Sequence, residues 1–132
     1  MTELRIGERV VSDQAPAYII AEGGANHGCD VDIALKMVEE AAAAGADAIK
    51  FQTYSADTLT TRWAPRYWDD PEPSGTQYAV FAGWDDLTYD DYERLLGAAR
   101  DLGIEWLTTP FELDAVEWMA EMGVAAYKIA SA

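Results

Sequence analysis

Lysine is scarce in this chain: three among 132 residues, at positions 36, 50 and 128. Cysteine and histidine are scarcer, with Cys29 and His27 the single examples of each. A lone cysteine excludes an internal disulfide and suits a reducing compartment. A lone histidine excludes a His-rich metal centre built from this chain. No apolar run approaches the roughly 20 residues that a helix needs to cross a bilayer. Met1-Thr2-Glu3-Leu4-Arg5 has no basic region followed by an apolar stretch, so no secretory signal is visible and the cytoplasm is the expected compartment. Basic charge is short as well: nine Lys and Arg against 24 Asp and Glu leave a net charge of −15. Such a surface repels nucleic acid and anionic membranes, which sets both aside as partners.

What the chain does hold is apolar in half its residues, enough for one domain-sized core. Four short apolar runs each close on a polar side chain. Tyr18-Ile19-Ile20-Ala21 leads into Glu22, and Ala48-Ile49 into Lys50-Phe51-Gln52. Trp106-Leu107 leads into Thr108-Thr109, and Tyr127 into Lys128-Ile129-Ala130-Ser131. Two of the three lysines therefore sit in these runs, where a buried ammonium is costly unless paired or holding an anion. The acidic coat does not forbid an anion: exposed charges beyond a Debye length of ~8 Å are largely screened. A lysine ~4 Å from a phosphate contributes on the order of 4 kcal/mol at an effective dielectric near 20.

The runs alternate with helical patterns. Ala34, Met37, Val38, Ala41 and Ala42 share one face of a predicted helix from Val31 to Ala44. Tyr92, Leu95, Leu96 and Ala99 do so from Tyr89 to Leu102, and Ala115, Val116, Met119 and Ala120 from Glu112 to Met122. Gly45, Gly103 and Gly123 follow the three helices, as a left-handed helix end requires. Five residues past each glycine come Lys50, Thr108 and Lys128, so one helix-to-strand hand-off recurs three times. Strand and helix in alternation argue for a parallel α/β sheet, here four strands and three helices. Residues 4–11 read as a small β-hairpin ahead of it. Thr88-Tyr89-Asp90-Asp91 and Thr109-Pro110-Phe111-Glu112 read as capping boxes. Thr53 to Leu87 breaks the pattern with Trp63, Pro65, Tyr67, Trp68, Pro71, Pro73, Gly75, Tyr78, Phe81 and Trp84. A connection this long is a functional wall or a separate aromatic-anchored surface loop, and the sequence leaves both open.

Residues two apart on a strand share a face, so Lys50 and Gln52 emerge together, suited to a phosphate or carboxylate. The alternative for Lys50 is an ion pair with Glu22. Thr109 reads first as a helix N-cap, a role compatible with anion binding at a helix N-terminus. Lys128 and Ser131 have opposite strand parity and share one site only if the strand bends or ends between them. Glu22 enters Gly23-Gly24-Ala25-Asn26-His27-Gly28, which lacks the dinucleotide-binding glycine spacing. It has the chemistry to bind a hydroxyl, move a proton or pair with a lysine. His27 reads as a loop residue with a satisfied hydrogen bond, and Cys29 has no catalytic part.

Four segments in this order and spacing, Ile20-Ala21-Glu22-Gly23-Gly24-Ala25-Asn26-His27, Ala46-Asp47-Ala48-Ile49-Lys50-Phe51-Gln52-Thr53, Leu107-Thr108-Thr109-Pro110-Phe111 and Tyr127-Lys128-Ile129-Ala130-Ser131, resemble the sialic acid synthase (N-acetylneuraminate synthase) family. The likeness covers nearly the whole chain and departs at Gly28-Cys29, where the family has Asn-Gly. It implies a (β/α)8 TIM-type barrel, with about the first four strands and three helices in this chain. It implies condensation of phosphoenolpyruvate with the open-chain aldehyde of an N-acyl hexosamine, with release of phosphate. Lys50, Gln52, Thr109, Lys128 and Ser131 would hold phosphoenolpyruvate; Glu22 would face the amino sugar or assist proton transfer; Phe111 would pack beside them. A divalent metal, Mn or Mg, would polarise the aldehyde. Its histidine ligands, an acidic residue after the fourth run and an antifreeze-like domain would lie beyond Ala132, so no metal ligand is expected here. Full-length members would be homodimers, and this chain a truncated portion, inactive alone. The alternatives are a legionaminic- or pseudaminic-type nonulosonic acid synthase, another phosphoenolpyruvate-condensing barrel, or a non-catalytic anion-binding half-barrel that needs a partner chain.

Overall fold

The computed structural model describes residues 4–69, 75–85 and 87–131. Pro71 and Pro73, residues 1–3 of the signal reading, and Ala132 lie outside them. β1 (Leu4–Ile6) and β2 (Arg9–Val11) pair antiparallel, the chain turning at Gly7 with φ 56°. β3 (Ile20–Gly24), β4 (Ala48–Thr53) and β5 (Glu105–Pro110) form a parallel sheet in that order. The helices are α1 (Val31–Ala43), the short α2 (Ala56–Leu59) and α3 (Gln77–Phe81), then α4 (Tyr89–Asp101) and α5 (Leu113–Glu121). Parallel neighbours need crossovers, which α1 makes between β3 and β4 and α4 between β4 and β5. The hairpin is tied to the sheet through Asp47: its carboxylate pairs with Arg9 and accepts the Ile19 N–H at 2.7 Å.

The helical periodicity places the core. Ala34, Val38 and Ala41 of α1, all four apolar-face residues of α4, and Ala115 and Met119 of α5 are buried. They cover the sheet face bearing Ile49, Phe51 and Trp106, where the last two rings stack at 6.3 Å. Burying Phe51 contributes roughly 1.5–3 kcal/mol. Thr53 and Thr108 also reach this face and satisfy each other with a 3.0 Å hydroxyl bond. Pleating then turns Lys50, Gln52 and Thr109 to the opposite face. Gly45, Gly103 and Gly123 end their helices at φ 80°, 74° and 72°.

Two sequence expectations give way. The fourth strand is a single parallel bridge, Tyr127 to Thr108, with the Lys128 N–H donating to the Thr108 carbonyl at 3.1 Å. Past that pair no further strand pairing is formed among the described residues, and Ile129 is 82 % exposed. An edge segment bonded on one side by one pair has no ladder to hold it extended. Thr109 is not a helix cap either. It pairs with Gln52 inside β5, Pro110 pairs with Thr53, and the Phe111 N–H donates to the Thr53 carbonyl. The N-cap of α5 is Glu112, without a side-chain capping bond. Continued strand pairing outweighs one cap worth about 1 kcal/mol.

Candidate active site

β3, β4 and β5 all run toward the same end of the sheet, and their C-terminal residues carry the polar side chains. Glu22 and Lys50 are direct cross-strand neighbours. The β3 register slips just after them, with Gly24 rather than Gly23 opposite Phe51. A Cβ on Gly23 would lie 2.7 Å from the Phe51 ring. Only glycine lets the bulged strand pass over that buried phenyl, which in turn fixes where Glu22 emerges.

Glu22, Lys50, Gln52, Thr109, Phe111, Lys128 and Ser131 all border one cleft of about 520 Å³. Lys50 and Gln52 share a face as their spacing requires. Lys128 and Ser131 reach the same cleft despite opposite parity because the chain has left strand geometry between them. Lys50 is largely buried, its side chain 14 % exposed, and it forms an ion pair with Glu22. The alternative pairing read from sequence is thus present, within the same cleft. Lys128 donates to the neighbouring Ile129 carbonyl at 2.8 Å. Two ammonium groups against one carboxylate leave the described lining with a local positive balance inside an acidic protein.

The excursion supplies what the sequence left open. Tyr54, Leu59, Tyr67, Gln77 and Phe81 also line the cleft, and Tyr54 meets Phe81 and Phe111 edge-on at 5.7 and 6.0 Å. Burial, with smaller contributions from Cys29 and Asp85, pushes the Tyr54 hydroxyl up to about 12. It therefore stays protonated and donates to the Trp84 carbonyl at 3.4 Å. Nothing local in the sequence marks Leu59 or Gln77; the path of the excursion brings them there. His27 is only half satisfied: Nδ1 accepts from the Cys29 N–H at 3.1 Å, while the buried Nε2 has no partner among the described residues. Among the described residues no group of three or more His, Cys, Asp or Glu side chains gathers to hold a metal ion. No described helix is long and apolar enough to cross a membrane.

A larger cleft, about 740 Å³, opens at the opposite strand ends beside Arg5, Arg9, Tyr18, Asp47, Arg100 and Glu105. Three of its charged groups have structural partners: Arg9 pairs with Asp47, and Arg100 donates to the Met122 carbonyl at 2.7 Å. The C-terminal strand ends are the place where parallel α/β proteins generally carry their functional residues.

Fold and cleft together define a class: a parallel α/β protein with a locally cationic cleft at its strand ends. Within that class, the model of the NeuB family matches residues 37–132, and the chain belongs to that family. It is 38% identical over 117 residues to an N,N'-diacetyllegionaminic acid synthase of Legionella pneumophila, a match covering 86% of this chain and 33% of the relative. It is 32% identical over 124 residues to the N-acetylneuraminate-9-phosphate synthase of Mus musculus, covering 93% of this chain and 34% of the relative. In three dimensions it matches the N-acetylneuraminic acid (sialic acid) synthetase of Leptospira borgpetersenii, solved in complex with citrate. The TM-score is 0.77 and the identity 30%, covering 97% of this chain and 41% of that one. The chain spans about a third of the length of these curated relatives.

Proposed function

We propose that this chain carries the phosphoenolpyruvate cradle of a nonulosonic acid synthase, built on the first strands of a (β/α)8 barrel. The observation that carries this reading is the convergence of Lys50, Gln52, Thr109, Lys128 and Ser131 on one cleft. The two ammonium groups match the charge of a phosphate and a carboxylate, and the hydroxyls and amide complete the hydrogen bonds. Phe111 packs beside the donor. Glu22, neighbour of Lys50, faces the amino-sugar acceptor and serves in proton transfer. The reaction is the joining of phosphoenolpyruvate to the aldehyde of an N-acyl hexosamine, giving a nine-carbon keto-sugar acid and phosphate. The described residues do not fit the divalent metal that the family resemblance implies, because no ligand group gathers among them. The whole enzyme acts in the cytoplasm as a homodimer.

Phosphoenolpyruvate titrated into the chain tests the cradle. Lys50→Met should weaken binding roughly ten- to hundredfold, the range for losing a charge-assisted bond. Unchanged affinity in a folded variant would remove Lys50 from the cradle and with it the main support for this reading.

A further inference from the structure

The core face of the sheet holds a pair of hydroxyls among large apolar side chains. Thr53 and Thr108 stand beside Ile49, Phe51 and Trp106, only 3 % and 0 % exposed, and bond to each other at 3.0 Å. The pair is diagonal: Thr108 is the register partner of Phe51, and Thr53 that of Pro110. The bond therefore leans along the strands and resists sliding of β5 on β4. Stability does not call for it. A buried hydroxyl bond contributes little net, because both groups give up their water on folding. Replacing both partners by apolar groups of the same shape can be neutral or stabilising.

What the pair holds is the cleft, from behind. Thr53 follows Gln52 and Thr108 precedes Thr109, and these two cleft side chains are themselves register partners. The Thr108 carbonyl accepts the Lys128 N–H at 3.1 Å, and Thr108 makes the bridge to Tyr127. Among the described residues, that bridge is the strand pairing that joins segment 126–131, with Lys128 and Ser131, to the sheet. A cation's pull on an anion falls with distance, and a loose segment must first be ordered. We propose that Thr53 and Thr108 are positioning residues of the donor cleft. Their hydroxyl bond fixes β5 against β4 and, through the Thr108 carbonyl, sets the placement of Lys128. This rests on the donor reading above and adds to it two residues that do not line the cleft.

The test uses the 132-residue chain, titrated with phosphoenolpyruvate by calorimetry and unfolded in urea. A single valine would strand one buried hydroxyl, so the informative variant combines Thr53→Val with Thr108→Val. Its urea midpoint should stay within about 0.5 M of the native value, while phosphoenolpyruvate binding weakens about fivefold or more. Thr108→Ser keeps the hydroxyl and should hold affinity within about twofold. Lys128→Met should cost the native chain about tenfold but the double valine variant only about twofold, because a misplaced lysine has less to lose. Affinity within about twofold in the double valine variant, no recovery in Thr108→Ser, or an equal cost of Lys128→Met in both backgrounds would each overturn the proposal and leave the donor reading standing. A urea midpoint lowered beyond that margin would make the pair a structural bond and overturn it too. Failure of the native chain to bind phosphoenolpyruvate would overturn the donor reading, and this assignment with it.

Discussion

At the scale of single residues, His27 shows how a loop of glycines acquires a pH response. Its ring is 3 % exposed, lies 5.8 Å from the Phe51 ring, and accepts the Cys29 N–H through Nδ1. An accepting Nδ1 is unprotonated, so the neutral ring carries its proton on Nε2. To supply that N–H, Cys29 adopts φ 64°, unusual for a residue with a Cβ. Burial holds the imidazole below its ordinary value of 6.5. The unfolded chain therefore takes up a proton near pH 6.5 while the folded chain resists it to lower pH. The stabilisation is complete above the unfolded value and declines as pH falls below it toward the folded one. Urea unfolding at about pH 7.5 and about pH 5.5 should show a larger loss for the native chain than for His27→Gln. Parallel losses in the two proteins would show that the imidazole does not drive the response.

Among the elements, two threonines that look alike in sequence do different work. Thr88 caps α4 reciprocally: its side chain accepts the Asp91 N–H at 3.3 Å, and the Asp91 carboxylate accepts the Thr88 N–H at 3.0 Å. Thr109 stands at the end of β5 in the cleft, and α5 begins beyond it. Thr88→Ala should cost about 1 kcal/mol of stability in urea unfolding. Thr109→Val should stay within about 0.5 kcal/mol yet weaken phosphoenolpyruvate severalfold. A Thr109 variant as unstable as Thr88→Ala, with unchanged phosphoenolpyruvate affinity, would make the hydroxyl structural. The contrast also marks what the sequence could convey. Helix faces, terminal glycines and the Lys50–Gln52 pair were legible because 3.6- and 2-residue periods act locally. The end of β5 was not, because pairing with Thr53 comes from a strand more than 50 residues away in sequence. Nor was the reduction of the fourth run to a single bridge, since Tyr127 and Ile129 read the same in sequence whether or not a ladder forms. Gln77 carries no local mark at all; only the fold of the excursion turns it to the cleft.

Across the whole molecule, two charge distributions act in opposite directions. The acidic excess is spread over the surface, where like charges repel and oppose compaction. The described lining of the cleft is instead locally positive, with Lys50 and Lys128 against Glu22. Raising salt from about 0.1 M to about 1 M shortens the Debye length from about 10 Å to about 3 Å. Screening should therefore raise the thermal midpoint by relieving repulsion, while the same salt weakens phosphoenolpyruvate binding. Both are measurable on one sample series, by thermal unfolding and by calorimetric titration. Lys36→Met supplies the control: this exposed lysine on α1 does not line the cleft, so its loss should leave affinity and its salt dependence nearly unchanged. Lys50→Met should instead flatten the salt dependence of binding while leaving the rise in thermal midpoint in place. If affinity ignored salt in the native chain, or if Lys36→Met altered it as much as Lys50→Met, binding would not be governed by the cleft's own charges. The acidic coat and the cationic cleft are separable because the coat acts through many exposed charges, none of them decisive, whereas the described cleft holds two lysines, so the loss of one is enough to be felt.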